Sequence, residues 1–337
     1  MGLIMSYKDF QQKVYSYLVK YKKECLKIEG KGVSARGVEH DCLFPKPYCD
    51  AKIPVMFYEG IISTIEDIQN GEFAYKPHLA ASAHVASSQT ACINLFVPIL
   101  ESDFADRILL ESGCAPQDFA FIDRTKLRKG YCFEYWDSST EGVKGLLGDH
   151  SPHAGTDSDV AIAYRNKENK LSLWLIEHKL TEQEFTTCGG YRSNGISESQ
   201  KGYCTSCSIE DLLENHHKCY YHKHCGYHYW RIMDKCYPFF SGNYRGNGCP
   251  FRGGMNQLWR NQLLAIELEN RGVFEQVCFS VVSHPENSYL NKTINDFRTL
   301  INNSPKFYDF KSNQLVDAAS KYLPDWTRWY RNVYLGI

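Results

Sequence analysis

The sequence predicts an α/β fold, a central mixed β-sheet with helices on both faces. Three observations carry that expectation. The apolar periodicities run in the order helices, strands, hairpin, helix, strand, helices, which suits a sheet covered on both sides. Two short runs rich in apolar and β-branched residues, DVAIAY and LSLWLIEHK, flank the polar segment RNKENK and read as a β-hairpin over 159–179. Hydrophobic residues make up 43% and charged residues 23% of the 337, so the chain is globular, with room for one large domain or two small ones.

Residues 6–27 form an amphipathic helix, with Phe10, Val14, Tyr17, Leu18 and Tyr21 at helical spacing, closed by Gly30 and Gly32. Residues 31–55 carry three prolines and read as a long loop. A helix follows over 58–69, then an irregular stretch over 71–86. Ser87 or Ser88 can cap the next helix, which carries Ala91, Ile93, Leu95 and Phe96. DFADRILLESG makes another, stopped by Gly113. Within 119–137, FAFIDRTKL and GYCFEYWD alternate as strands and begin the sheet that the hairpin continues. A Gly- and Ser-rich connection spans 138–156.

Beyond the hairpin, 188–250 is polar and Gly-rich, too poor in aliphatic residues for a core of its own, which a bound metal would replace. Residues 255–270 are strongly helical and FEQVCFSVV, 274–282, is an apolar strand. Helices are expected near 291–302, 312–321 and 324–334. The chain thus divides into an N-terminal helical region (1–115), a core (116–187 and 251–337) and a Cys/His-rich insertion (188–250).

No run of eighteen apolar residues occurs, so no membrane span is expected. The N-terminal MGLIMSYKDFQQKV lacks a signal-peptide apolar stretch, and a cytoplasmic location with reduced cysteines is the expectation. Net charge is −1, so a nucleic-acid partner would need the basic residues clustered on one face.

The hairpin carries the chemistry. A turn at Glu168 sets Asp159 opposite Glu177, Ala161 opposite Leu175 and Ile162 opposite Trp174. Alternation sends Glu177 and Lys179 to one side and His178 to the other. Two carboxylates and an ammonium then converge at the end of an apolar hairpin. That is unfavourable to bury idly and suits a hard divalent cation. The plainer alternative is an exposed Glu–Lys pair on a surface hairpin. Asp157 shares a face with Asp159 but has the poorer register. Glu134, on FEYW, is a further candidate acid, with a solvent-facing strand position as its alternative.

Fourteen cysteines is a high count, and seven fall in the insertion, with Cys204 and Cys207 as a CxxC. Cys188, Cys204, Cys207, Cys219 and Cys249, among several histidines, are candidate ligands for tetrahedral zinc or, equally, an iron–sulfur cluster. The alternative is reduced thiols that pack as small hydrophobes. On the 255–270 helix, Gln257 and Asn261 share a face, and Arg260 could meet a phosphate. Leu258, Leu263, Leu264 and Ile266 fit a plain core helix equally well. Arg124, Lys126, Arg128 and Lys129 form the densest basic run and are candidates for the phosphate backbone.

Asp159 followed by Glu177-His178-Lys179 resembles the signature of the PD-(D/E)XK nuclease superfamily, with Ser158 in place of its proline. ASSQTACINLFVPIL, CGGY and CPFRGGMNQLWRN extend the likeness to restriction-endonuclease-like members over about residues 80–285. The resemblance implies a PD-(D/E)XK core and a bacterial DNA endonuclease of a restriction or phage-defence system. It implies Mg²⁺ or Mn²⁺ held by Asp159, Glu177 and the His178 carbonyl, with Lys179 beside the attacking water. It also implies Gln257 pointing back at the site, and a [4Fe–4S] cluster as an alternative to zinc at the cysteines. A homodimer would supply two sites for double-strand cutting. A nucleic-acid-binding module with an idle nuclease fold, and a nuclease for RNA or unpaired DNA that uses the many Tyr and Phe for stacking, stand as alternatives.

Overall fold

The computed structural model describes residues 6–51, 53–73, 83–137, 144–151 and 154–337. The N-terminal helix α1 (Tyr7–Glu24) starts at the Ser6 cap and buries Phe10, Val14 and Leu18 as one stripe. The stripe continues to Lys22, whose buried ammonium donates to the carbonyls of Gly30, Asp41 and Leu43 at 2.6–2.9 Å and so shapes the Pro-containing loop. The expected irregular stretch over 71–86 and connection over 138–156 fall partly outside the described residues. Helix α2 (Ile62–Asn70) leads to α3 (Ser88–Leu100), where Ser87 is the cap, and to α4 (Ala105–Glu111).

Two-residue strands β1 (Gly32–Val33) and β2 (Glu39–His40) pair in the N-terminal loop. The main sheet has six strands: β3 (Phe119–Ile122), β4 (Tyr131–Tyr135), β5 (Ser158–Asn166), β6 (Leu171–Lys179), β7 (Val277–Ser283) and β8 (Phe307–Lys311). The order is β3-β5-β6-β7-β8, with β4 also on β5. Pairings through β6 are antiparallel, whereas β6–β7 and β7–β8 are parallel. The hairpin register is the expected one, Ala161 facing Leu175 and Ile162 facing Trp174.

Alternation splits the sheet between two cores. Ile162, Tyr164, Trp174 and Ile176 pack with α1, α3 and the C-terminal helices α10 (Ser312–Ala319) and α11 (Pro324–Tyr330). Ala161, Ala163, Leu173 and Leu175 pack with α8 (Met255–Asn270), α9 (Asn291–Leu300) and the insertion. Strand β8 was not anticipated: FYDFK is a short edge strand with two charges and no apolar run.

The insertion folds as α5 (Glu198–Ser206), α6 (Ile209–Glu214) and α7 (Tyr229–Lys235). The insertion shares one core with α8 and that face of the sheet. Ile209, Leu212, Tyr229, Trp230, Ile232, Met233 and Phe240 are buried against Phe251 and Trp259, so aromatic area replaces the missing aliphatic residues.

His284, just past β7, is 2% exposed. Its Nε2 donates to the Tyr334 carbonyl (3.0 Å) and its Nδ1 accepts the Glu286 N–H (3.2 Å), a pair that only the neutral ring satisfies. Burial pushes its pKa down to about 4. The folded value lies below the unfolded one, so the unfolded chain takes up the proton first. The ring's contribution to stability is complete above about pH 6.5 and is lost as pH falls toward 4, roughly 3 kcal/mol in all. Urea unfolding at pH 7.5 and pH 5 should show wild type losing more stability than His284→Gln. Equal losses in the two proteins would refute this account.

Candidate active site

Odd-numbered hairpin residues face α8 and the insertion, so Asp159, Glu177 and Lys179 turn the same way. One step beyond the Val160–Ile176 pair, Asp159 stands across from Glu177. Strand β4 adds a third carboxylate. Phe133 faces Val160 and Tyr135 faces Ser158, which sets Glu134 across from Asp159 on the other side. Glu134, Asp159 and Glu177 therefore form a row across three strands, each step about 5 Å. Glu134 reaches this position with φ +51°, a left-handed backbone that a non-glycine residue adopts at a cost of about 1 kcal/mol or more. The Gln89 side chain donates to its Oε1 at 2.8 Å.

The Glu177 carboxylate is held from three sides. Gln257 Nε2 donates to Oε1 (2.7 Å) and Asn261 Nδ2 to Oε2 (2.9 Å), as their shared face on α8 requires. Lys179 Nζ lies 2.9 Å from Oε1. Gln257 is itself fixed by the Thr186 N–H on its Oε1 (2.9 Å). Asp159 Oδ2 accepts the His178 N–H at 2.6 Å. His178, pointing to the opposite face, meets α3. The Ser88 hydroxyl donates to its carbonyl (2.9 Å) and stands 3.1 Å from its Nδ1.

The electrostatics favour a cation here. Burial, then the neighbouring Glu177 and Glu134 charges, raises the Asp159 pKa well above the usual carboxylate range. Burial raises Glu177 too, against the opposing pull of Lys179. Burial tends to lower the Lys179 pKa, but Glu177, Glu182 and Asp159 outweigh it and hold it above the usual lysine value. Burial and the Lys179 charge push the His178 ring down to about 3, so that ring is neutral. A site with a buried, mutually repelling carboxylate pair gains most from a bound positive ion.

These groups open into a cleft of about 450 Å³, whose far wall is Gly189, Tyr221 and Tyr227 from the insertion. Arg260 also lines it, but its Nη1 is committed to Thr156 Oγ1 (3.0 Å) and the Gly155 carbonyl (3.3 Å), with Asp149 at 3.7 Å. Asp157 also lines the cleft but is engaged by His150 Nε2 (3.0 Å), a ring stacked on Trp136 at 3.5 Å, and Asp159 is the carboxylate across from Glu177. Ser88, Gln89 and Thr186 escaped the sequence reading. Ser88 reads only as a helix cap, and no periodicity links 88–89 to strand residues 45 and 90 positions away.

Two sequence expectations gain no support from the structure. Among the described residues, no three His, Cys, Asp or Glu side chains are grouped so as to hold a metal ion. Zinc or [4Fe–4S] at Cys188, Cys204, Cys207, Cys219 and Cys249 therefore finds no support. All five are free thiols, and the aromatic packing of the insertion already supplies the cohesion a metal was expected to give. The basic run 124–129 is largely engaged internally. Arg124 Nη1 donates to the Leu100 and Lys129 carbonyls, and Arg128 and Lys129 pair with Glu101 at 2.6 and 3.3 Å.

No helix among the described residues is long and apolar enough to cross a membrane. No curated protein and no solved structure matches the chain. One family does, that described as restriction endonuclease associating with ARP, over residues 54–335. With most of its length matched in this way, the chain belongs to that restriction endonuclease family.

Proposed function

We propose that the protein is a divalent-metal-dependent DNA endonuclease with a PD-(D/E)XK core. The observation that carries this is Asp159 across from Glu177, with Lys179 Nζ 2.9 Å from the Glu177 carboxylate, in an open cleft. Membership of a restriction endonuclease family supports a nuclease acting on DNA.

The donor set fits Mg²⁺ or Mn²⁺, which take one or two carboxylates and keep several waters. Asp159 and Glu177 would hold the ion, with the His178 carbonyl as a further oxygen. That carbonyl already accepts the Ser88 hydroxyl, but a carbonyl has a second lone pair. When bound, the ion supplies an acidified water and offsets charge on the scissile phosphate. Gln257 and Asn261 fix the Glu177 carboxylate, so its oxygens need not reorganise during the reaction. Lys179 is an ammonium in the metal-free site and can take the water's proton only as the neutral amine, a state that the ion's charge would favour. As an ammonium it orients the water and stabilises charge growing on the non-bridging oxygens.

Plasmid cleavage in Mg²⁺ or Mn²⁺, wild type against Lys179→Ala, tests the reading. Cleavage by wild type alone is expected, and the products separate nicking from double-strand cutting. Equal cleavage by both proteins would place the activity elsewhere. Inactivity on methylated, unmethylated, linear and single-stranded DNA would refute DNA as the substrate.

A further inference from the structure

The insertion that walls the cleft also carries exposed cations without ion pairs among the described residues, beside a helix, α6, that holds the exposed acids Glu210, Asp211 and Glu214. Residues 215–228, NHHKCYYHKHCGYH, contain no Asp or Glu. Tyr221 and Tyr227 of this segment face the cleft. His217, Lys218, Lys223 and His224 are exposed. The neighbouring turn, with exposed Arg192, is tied to it: the Gly189 N–H donates to Tyr221 Oη (2.7 Å) and the Ser193 hydroxyl to Tyr220 Oη (3.1 Å). Nearby Lys201 is paired with Glu198 at 3.0 Å, whereas Arg192, Lys218 and Lys223 form no ion pair among the described residues. Lys218 instead rests over the Tyr203 ring, 4.9 Å from its centre.

A cleft edged by Glu134, Asp159 and Glu177 repels phosphate, so a polyanionic substrate must be held by cations outside the acidic row. The 124–129 loop does not supply them. It is largely bonded internally and joins β4 at Tyr131, the end away from Glu134.

We infer that Arg192, Lys218 and Lys223 on the insertion grip the phosphate backbone of duplex DNA and hold it against the cleft. The inference deepens the DNA endonuclease reading and rests on it. Each phosphate contact releases about 0.9 counterion, so three contacts give a salt slope about 2 to 3 units steeper.

Fluorescence anisotropy with a labelled random-sequence duplex, in chelator and in Ca²⁺, across a salt series, is the test. The Arg192→Ala/Lys218→Ala/Lys223→Ala protein should show a slope about 2 to 3 units smaller and roughly 10²-fold weaker binding at ~0.1 M salt. Lys126→Ala/Lys129→Ala should match wild type. An unchanged slope in the triple variant, or the loss appearing in the loop variant instead, overturns the assignment of the surface while leaving DNA as the substrate. A wild-type chain that binds no duplex under either condition overturns both.

Discussion

Replacing Asp159 by Asn should lower DNA cleavage by roughly 10³-fold or more and at the same time make the protein in chelator more stable. Both halves follow from one arrangement. Asp159 and Glu177 are neighbouring carboxylates whose pKa values are raised by burial, and in the case of Asp159 also by the Glu177 charge. An amide at 159 keeps an oxygen to accept the His178 N–H but removes one of the two negative charges that a divalent ion would neutralise. In chelator the melting temperature should rise by about 1–2 °C, the size expected when about 1 kcal/mol of repulsion is relieved in a chain of 337 residues. In Mn²⁺ the wild type should gain stability that the variant does not. A variant that cuts within about tenfold of wild type, or that Mn²⁺ stabilises to the same extent, would remove Asp159 from the metal site.

Trp259→Ala should destabilise the protein by about 4 kcal/mol, the range for truncating a buried tryptophan. Trp259 is 2% exposed. It stacks on Phe251 at 4.0 Å and an interplanar angle of 6°, and meets Trp230 at 5.1 Å and Tyr229 at 5.2 Å. Its indole N–H points at the Met233 sulfur, 3.4 Å away. This one side chain therefore fastens the insertion to the helix that carries Gln257 and Asn261. The urea midpoint should fall, limited proteolysis should begin within 188–250, and cleavage should drop as Glu177 loses its two amide donors. A loss below about 1 kcal/mol with an unchanged proteolytic pattern would mean that the insertion is held elsewhere.

The parts of this site that were legible in the sequence are local. The hairpin declares itself through alternation on both sides of a polar turn, and its register follows from the turn position alone, which is why Asp159, Glu177 and Lys179 could be named together. Gln257 and Asn261 share a face because they are four apart on a helix. What stayed hidden depends on contacts between distant segments or on conformations without a periodicity. Glu134 is a candidate acid from FEYW alone, but its place across from Asp159 appears only when β4 is laid on β5, and its left-handed φ has no signature in FEYW. Ser88 and Gln89 reach the site only because α3 crosses under the hairpin end. The cysteine spacing has no counterpart among the described contacts for a related reason. Ligand spacing is visible in sequence, whereas the mutual packing of Trp230, Phe251 and Trp259, which answers the same need for cohesion, is not.

The parallel pairing of β6 with β7 also sets an order of assembly. The β5–β6 hairpin closes across a short turn and can form within about 1–10 μs, bringing Asp159 and Glu177 together before anything else surrounds them. Strand β7 lies almost a hundred residues downstream of β6, with the whole insertion between them. Closing that loop is slow, because its entropy must be given up before the non-local contacts form. The two carboxylates are therefore adjacent early, while Gln257 and Asn261 reach Glu177 only once α8 has docked on the hairpin. Through that interval the acidic hairpin is exposed to solvent and open to ions, so a divalent cation present during refolding can act on the nascent hairpin as well as on the finished enzyme.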